Sequence, residues 1–120
     1  MKTNTDPAGA AWYVPKSQAD KPEDEQARYK IRGLIGTEAM DVHFHVDEDS
    51  RMSMTARGGN ACLRAGLLGW EHRLAGDGKP IEFSDKDWKA NIAGLHPLDA
   101  VEIALEIWNR TFLDEAQKKT

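Results

Sequence analysis

His43 and His45 are the residues of this chain whose type and spacing come nearest to chemistry. Residues i and i+2 of a strand share a face, so in Asp41-Val42-His43-Phe44-His45-Val46-Asp47 both imidazoles point to one side and could approach one ion. A metal site needs a third ligand and usually a fourth, and the nearest candidates, Asp41 and Asp47, flank the same strand and belong to no motif. The plainer reading makes His43 and His45 the wet face of an amphipathic strand whose other face is Val42, Phe44 and Val46. General acid-base work needs groups that converge, whereas His43, His45, His72 and His96 are scattered over strand, loop and helix entry. Cys62 is the single cysteine, cannot form an internal disulfide, and reads as a small apolar residue on a helix. Gly58-Gly59 lacks the surrounding GxxxxGK[ST] pattern of a phosphate cradle. The expectation is a protein with no catalytic, cofactor-binding or metal residues. A small metal-dependent enzyme built on His43 and His45 is the remote alternative.

Composition narrows the partners. The chain has 120 residues, 40% of them hydrophobic, enough for one domain with a modest core. With 20 acidic against 16 basic residues it has no excess of cations to neutralise phosphates, so nucleic acid is not expected as a partner. A lone cysteine fits a reducing compartment. No apolar run approaches the ~18 residues of a membrane span and the first residues lack a signal-like apolar core, so a soluble, non-exported chain without membrane contact is expected.

The elements that must position these residues begin late. Residues 1–26, with Pro7, Pro15, Pro22 and the acidic run Glu23-Asp24-Glu25, read as an extended or disordered arm, and 27–120 as a single α+β domain. Trp12 and Tyr13 interrupt the arm as an aromatic cluster that docks either on its own domain or on a partner. Alternation around Tyr29 and Ile31, around Phe44, and at Met52-Ser53-Met54 predicts three strands forming a small antiparallel β-meander.

Three helices are expected to follow. Thr55 can cap the first, in which Leu63, Leu67 and Trp70 recur at helical spacing; the Gly58-Gly59 pair allows a later start near Asn60. Gly69 fits the helix stop, and Trp70 just beyond it fits a lid on the core. Gly76 to Pro80 is turn chemistry, and Ser84-x-x-Asp87 approximates a capping box for a helix from Asp85 to about Leu95. Pro97 opens the last helix, whose stripe Leu98, Val101, Leu105, Trp108 and Phe112 is widened by Ile103 and Ile107. So wide an apolar arc suggests an association surface at Ile103, Ile107 and Trp108, together with Trp12 and Tyr13, for a partner or for a second copy of the chain in a homo-oligomer.

The segment Leu67-Leu68-Gly69-Trp70-Glu71, followed by Asp77-Gly78-Lys79-Pro80-Ile81-Glu82-Phe83-Ser84 and a helical C-terminus, resembles the tail assembly chaperones and related tail accessory proteins of long-tailed bacteriophages. In that family a helix ends in Gly-Trp-Glu-Asn and a loop carries Asp-Gly-Lys-Pro; here His72 stands where Asn is usual. The resemblance implies that Gly69, Trp70, Glu71, Gly78 and Pro80 are a structural motif. It further implies a non-enzymatic protein acting through protein-protein contacts in tail morphogenesis, binding the tape measure protein or tail tube subunits in the host cytoplasm. A structural virion component, such as a tail or head-tail connector subunit, is the alternative.

Overall fold

The computed structural model describes residues 2–3 and 9–113, so the outermost part of the expected arm and the charged tail after Leu113 lie outside the described residues. Helices and strands together make an α+β fold, and its centre is strand β3 (Arg28–Ile31), antiparallel on one side to β2 (Ala11–Tyr13) and on the other to β6 (Leu67–Glu71). Alternation in β3 sends Tyr29 and Ile31 into the core, while Lys30 faces water.

This sheet differs from the expected meander. The strand at Phe44–Val46 (β4) pairs only with Met52–Met54 (β5), and β3 takes its partners from sequence positions far to either side. The intervening turn makes this possible. Arg32 grips both carboxylate oxygens of Glu38 at 2.9 Å, and Glu38 also accepts from the Ile35 N–H at 3.0 Å, which folds the chain into a one-turn helix, α1 (Gly36–Ala39), away from the sheet. Those Arg32 hydrogen bonds hold the Glu38 carboxyl below its ordinary titration range.

Helix α2 (Ala56–Gly66) starts where Thr55 caps it, the Thr55 hydroxyl accepting from the Gly58 N–H at 3.0 Å, so the glycine pair lies inside the helix. Packing accounts for Gly58 and for Gly66 at the end of the helix: a Cβ at Gly58 would collide with the His43 carbonyl, and one at Gly66 would stand 2.5 Å from Ile107 Cγ2 and 2.9 Å from the Arg32 carbonyl oxygen. Two glycines, each about 1 kcal/mol unfavourable in a helix, are offset by the close approach of neighbouring chain.

The helix stops at Gly66, and residues 67–71, expected as a helix end with a glycine cap, are strand. Ile31 pairs with Leu67 but Lys30 with Gly69, so Leu68 is an extra residue forming a β-bulge. The bulge returns Trp70 to the face occupied by Leu67. Trp70 then lies edge-on to Tyr29 and to Phe83, with ring centroids 6.3 and 5.0 Å apart, and its indole N–H donates to the Ile81 carbonyl at 2.6 Å. Gly78, at φ +84°, makes the turn between Leu74 and Pro80, which bridge to one another.

Helix α3 (Trp88–Ala93) is shorter than expected: Asp87 caps it, while the Ser84 hydroxyl accepts from the N–H groups of Lys86 and Asp87 in the turn before it. Helix α4 (Pro97–Thr111) begins at the expected proline and packs along α2. Its last residue, Thr111, is fully buried; the hydroxyl accepts from the Leu34 N–H at 3.0 Å and donates to the Ile107 carbonyl at 2.9 Å. Beyond it β7 (Phe112–Leu113) pairs with β1 (Lys2–Thr3).

The expected arm boundary at residue 26 does not coincide with an edge of the folded unit. Trp12 and Tyr13 dock on their own domain in β2, the Tyr13 hydroxyl donates to Glu102, and Pro15 is fully buried. The Lys16 N–H reaches Glu102 at 2.9 Å, and the Ser17 hydroxyl reaches Asp99 at 2.9 Å. A prolyl- and acid-rich segment with little apolar surface is held here through the polar side of α4.

Candidate partner-binding surface

Helix α4 is divided lengthwise into three faces. At about 100° per residue, Leu98, Val101 and Leu105 fall within about 60° of each other, and the stripe centred on Ile103, Ala104, Ile107 and Thr111 lies about 140° away. Asp99, Glu102 and Glu106 occupy the third sector. The N-terminal segment covers much of the acidic sector, and β3, α2 and Leu34 cover the second. The first is open: Leu98 is 73% exposed, Val101 57% and Leu105 42%.

This reverses the expected assignment of α4. Ile103 and Ile107 are fully buried in the chain's own core and offer nothing to a partner, while Leu98, Val101 and Leu105 face water. The reason is shape. Gly66 lets α2 approach so closely that Ile107 fills the space against its backbone.

Trp108 closes the end of the open stripe. It is half-buried, 5.0 Å from the Phe44 ring and 4.7 Å from that of Phe112, so it belongs partly to the core and partly to the surface. The hairpin of β4 and β5 extends the apolar surface: Phe44 pairs with Met54 and Val46 with Met52 on one face, and Val46 and Met52 stay exposed. Between hairpin, α2 and α4 runs a groove of about 300 Å³ floored by Met54, Gly59, Leu63, Val101 and Ala104. Val101 is shared by groove and stripe, which makes them one apolar surface. Isolated exposed apolar residues mean little, but a contiguous patch around a groove is characteristic of protein contact sites.

Of the other expected contact residues, Trp12 is on the outer strand with the Arg28 guanidinium 5.4 Å over its ring, and Tyr13 is engaged by Glu102; neither lines the groove. The five motif residues play packing and turn roles. Gly69 pairs with Lys30, Trp70 roofs Tyr29, Glu71 pairs with Arg28, and Gly78 and Pro80 form the turn. His72 adopts φ +58°, a left-handed conformation to which Asn and His are better suited than most side chains, and its Nδ1 lies 3.2 Å from the Gln26 carbonyl oxygen. That geometry gives a physical reason why Asn or His would suit the position.

Two residues that sequence reasoning passed over organise the loop side of the fold. Asn91 is buried and binds the Ser84 backbone twice, accepting from its N–H at 2.8 Å and donating to its carbonyl at 2.7 Å. Arg73 donates to the Asn91 carbonyl at 2.6 Å and lies 4.3 Å over the Trp70 ring. A polar residue at the centre of an amphipathic helix gives no sequence signal of burial.

His43 borders a larger, polar depression of about 640 Å³ with Glu38, Asp41, Arg57 and Arg64, and His45 sits opposite Ser53 in the hairpin. Among the described residues no three His, Cys, Asp or Glu side chains are placed to share a metal ion, and no helix is long and apolar enough to cross a membrane. Compared with protein-family models, curated proteins and solved structures, the chain matches none.

Proposed function

We propose that this protein is a non-enzymatic assembly factor that holds a partner polypeptide on the open stripe of α4. In the terms of the sequence resemblance it is a tail assembly chaperone or tail accessory protein of a long-tailed phage, acting in the host cytoplasm, with the tape measure protein or a tail tube subunit as its partner. The observation that carries the reading is the exposure of Leu98, Val101 and Leu105 beside an apolar groove, on a helix whose other two faces are already occupied. An amphipathic segment laid into such a groove would bury these side chains, and each fully buried leucine or valine contributes about 1.5–3 kcal/mol.

The experiment is capture of partners from infected cells by the wild-type protein and by Val101→Glu/Leu105→Glu. The reading expects the tape measure protein or a tube subunit with the wild type, and loss of that partner with a variant whose circular dichroism is unchanged. Equal capture by both, or capture of nothing, overturns it. Mass spectrometry of purified virions then separates a chaperone, absent from the particle, from a structural subunit that remains.

A further inference from the structure

On the opposite side of α4 from the open stripe, the loops around α3 leave a cleft of about 230 Å³ lined by Tyr29, His72, Arg73, His96 and Asp99. We propose that this cleft binds a single carboxylate, held by the Arg73 guanidinium and the Tyr29 hydroxyl.

Arg73 is 6% exposed and Tyr29 4%, yet neither has its polar capacity filled. Among the described residues the Arg73 side chain makes one hydrogen bond, through one terminal nitrogen to the Asn91 carbonyl, and no carboxylate lies within 4.0 Å of it. The Tyr29 hydroxyl has no hydrogen-bond partner among the described residues. The free atoms are not sealed in protein, because the only buried side-chain nitrogen or oxygen without a partner among the described residues is Arg28 Nε. They therefore open into the cleft that both residues line.

A guanidinium removed from water without a counter-charge is costly, and burial lowers the Arg73 pKa from its ordinary value while raising that of Tyr29. At neutral pH the tyrosine keeps its proton and can donate it. Both side chains pack against Trp70, which is edge-on to the Tyr29 ring and under the guanidinium. The fork of an arginine matches the two oxygens of a carboxylate, and a donor beside it adds a third bond.

Charge selects a monoanion. The cleft wall also carries Lys21, Glu25 and Asp99; with Arg73 these sum to zero, and Asp99 is turned to the Ser17 hydroxyl. One negative charge can be paired by Arg73, but a phosphate near −2 would meet two carboxylates as well.

The test uses the full chain and follows the Arg73 Nε–H and the Trp70 indole N–H by NMR during titration with sodium acetate, a blocked glutamate, inorganic phosphate and sodium chloride at constant ionic strength. The proposal expects saturable shifts at both resonances with acetate and blocked glutamate. Tighter binding of the blocked glutamate marks an acidic side chain of a polypeptide as the source, and tighter binding of acetate marks a free carboxylate. Tyr29→Phe should weaken the preferred ligand ~5-fold, the equivalent of one hydrogen bond of ~1 kcal/mol, without altering the fold, since that hydroxyl has no hydrogen-bond partner among the described residues. Shifts that grow linearly, shifts that chloride reproduces, tighter binding of phosphate, or an unchanged affinity in Tyr29→Phe each overturn the assignment. Arg73→Met should abolish binding, but Arg73 also holds Asn91, so the tyrosine variant carries the test.

Discussion

The two apolar faces of α4 make opposite predictions for truncations of equal size. Ile107→Ala and Leu105→Ala each remove three carbons. Ile107 is 0% exposed, so the transfer contribution is about 2.4 kcal/mol at ~0.8 kcal/mol per methylene. A cavity penalty is added, because the wall against which Ile107 sits includes α2 backbone at Gly66 that cannot collapse onto the space, and a total of about 3–4 kcal/mol is expected. Leu105 is 42% exposed and borders water, which refills the space it leaves, so its truncation should cost about 1 kcal/mol. Urea denaturation followed by circular dichroism measures both. In a domain of this size the Ile107 variant should also melt roughly 12–16 °C lower. A smaller loss for Ile107→Ala than for Leu105→Ala would refute the division of α4 into a covered and an open face, and with it the proposed partner surface.

Thr111→Val keeps the shape of a buried residue but removes the acceptor of the Leu34 N–H, and should cost about 1–3 kcal/mol, with Thr111→Ser recovering most of it; a neutral valine variant would show that this hydrogen bond is dispensable. Burial pushes the Cys62 thiol up to about 11, so at pH 8 it should resist a disulfide reagent until the protein unfolds, and immediate reaction would contradict its burial. Because its folded pKa lies above the ordinary 9.0, the associated stability is present below pH 9 and lost as pH rises towards 11, a slope that Cys62→Ala should flatten in alkaline denaturation.

Helix α4, the cap at Thr55 and the hairpin at β4 and β5 were legible because periodicity, capping chemistry and turn residues agree there. Residues 67–71 misled for a definite reason. The bulge at Leu68 places Leu67 and Trp70 on one face although they are three apart, and three is a helical interval. Sheet partners were hidden because β3 pairs with segments on either side of it, of which one is enclosed in proline and acid and the other continues an apolar helix stripe. On α4 the two apolar arcs were visible, but the choice between them rested on Gly66, a residue of another helix. The Arg73 cleft carried no signal, since its members come from the segment before β3, from β3 itself, the loops on both sides of α3, and α4.

The hydrogen bond between Tyr13 and Glu102 spans 89 residues, and β1 is joined to β7 at the far end of the described chain. A ribosome releases Tyr13 long before Glu102 exists, so the outer strand has only its pairing with β3 to hold it while α4 is being made. Closing so long a loop costs entropy that contacts formed within it help to offset. Until Leu67–Glu71 has been made, the edge of β3 that it covers stays open to other chains.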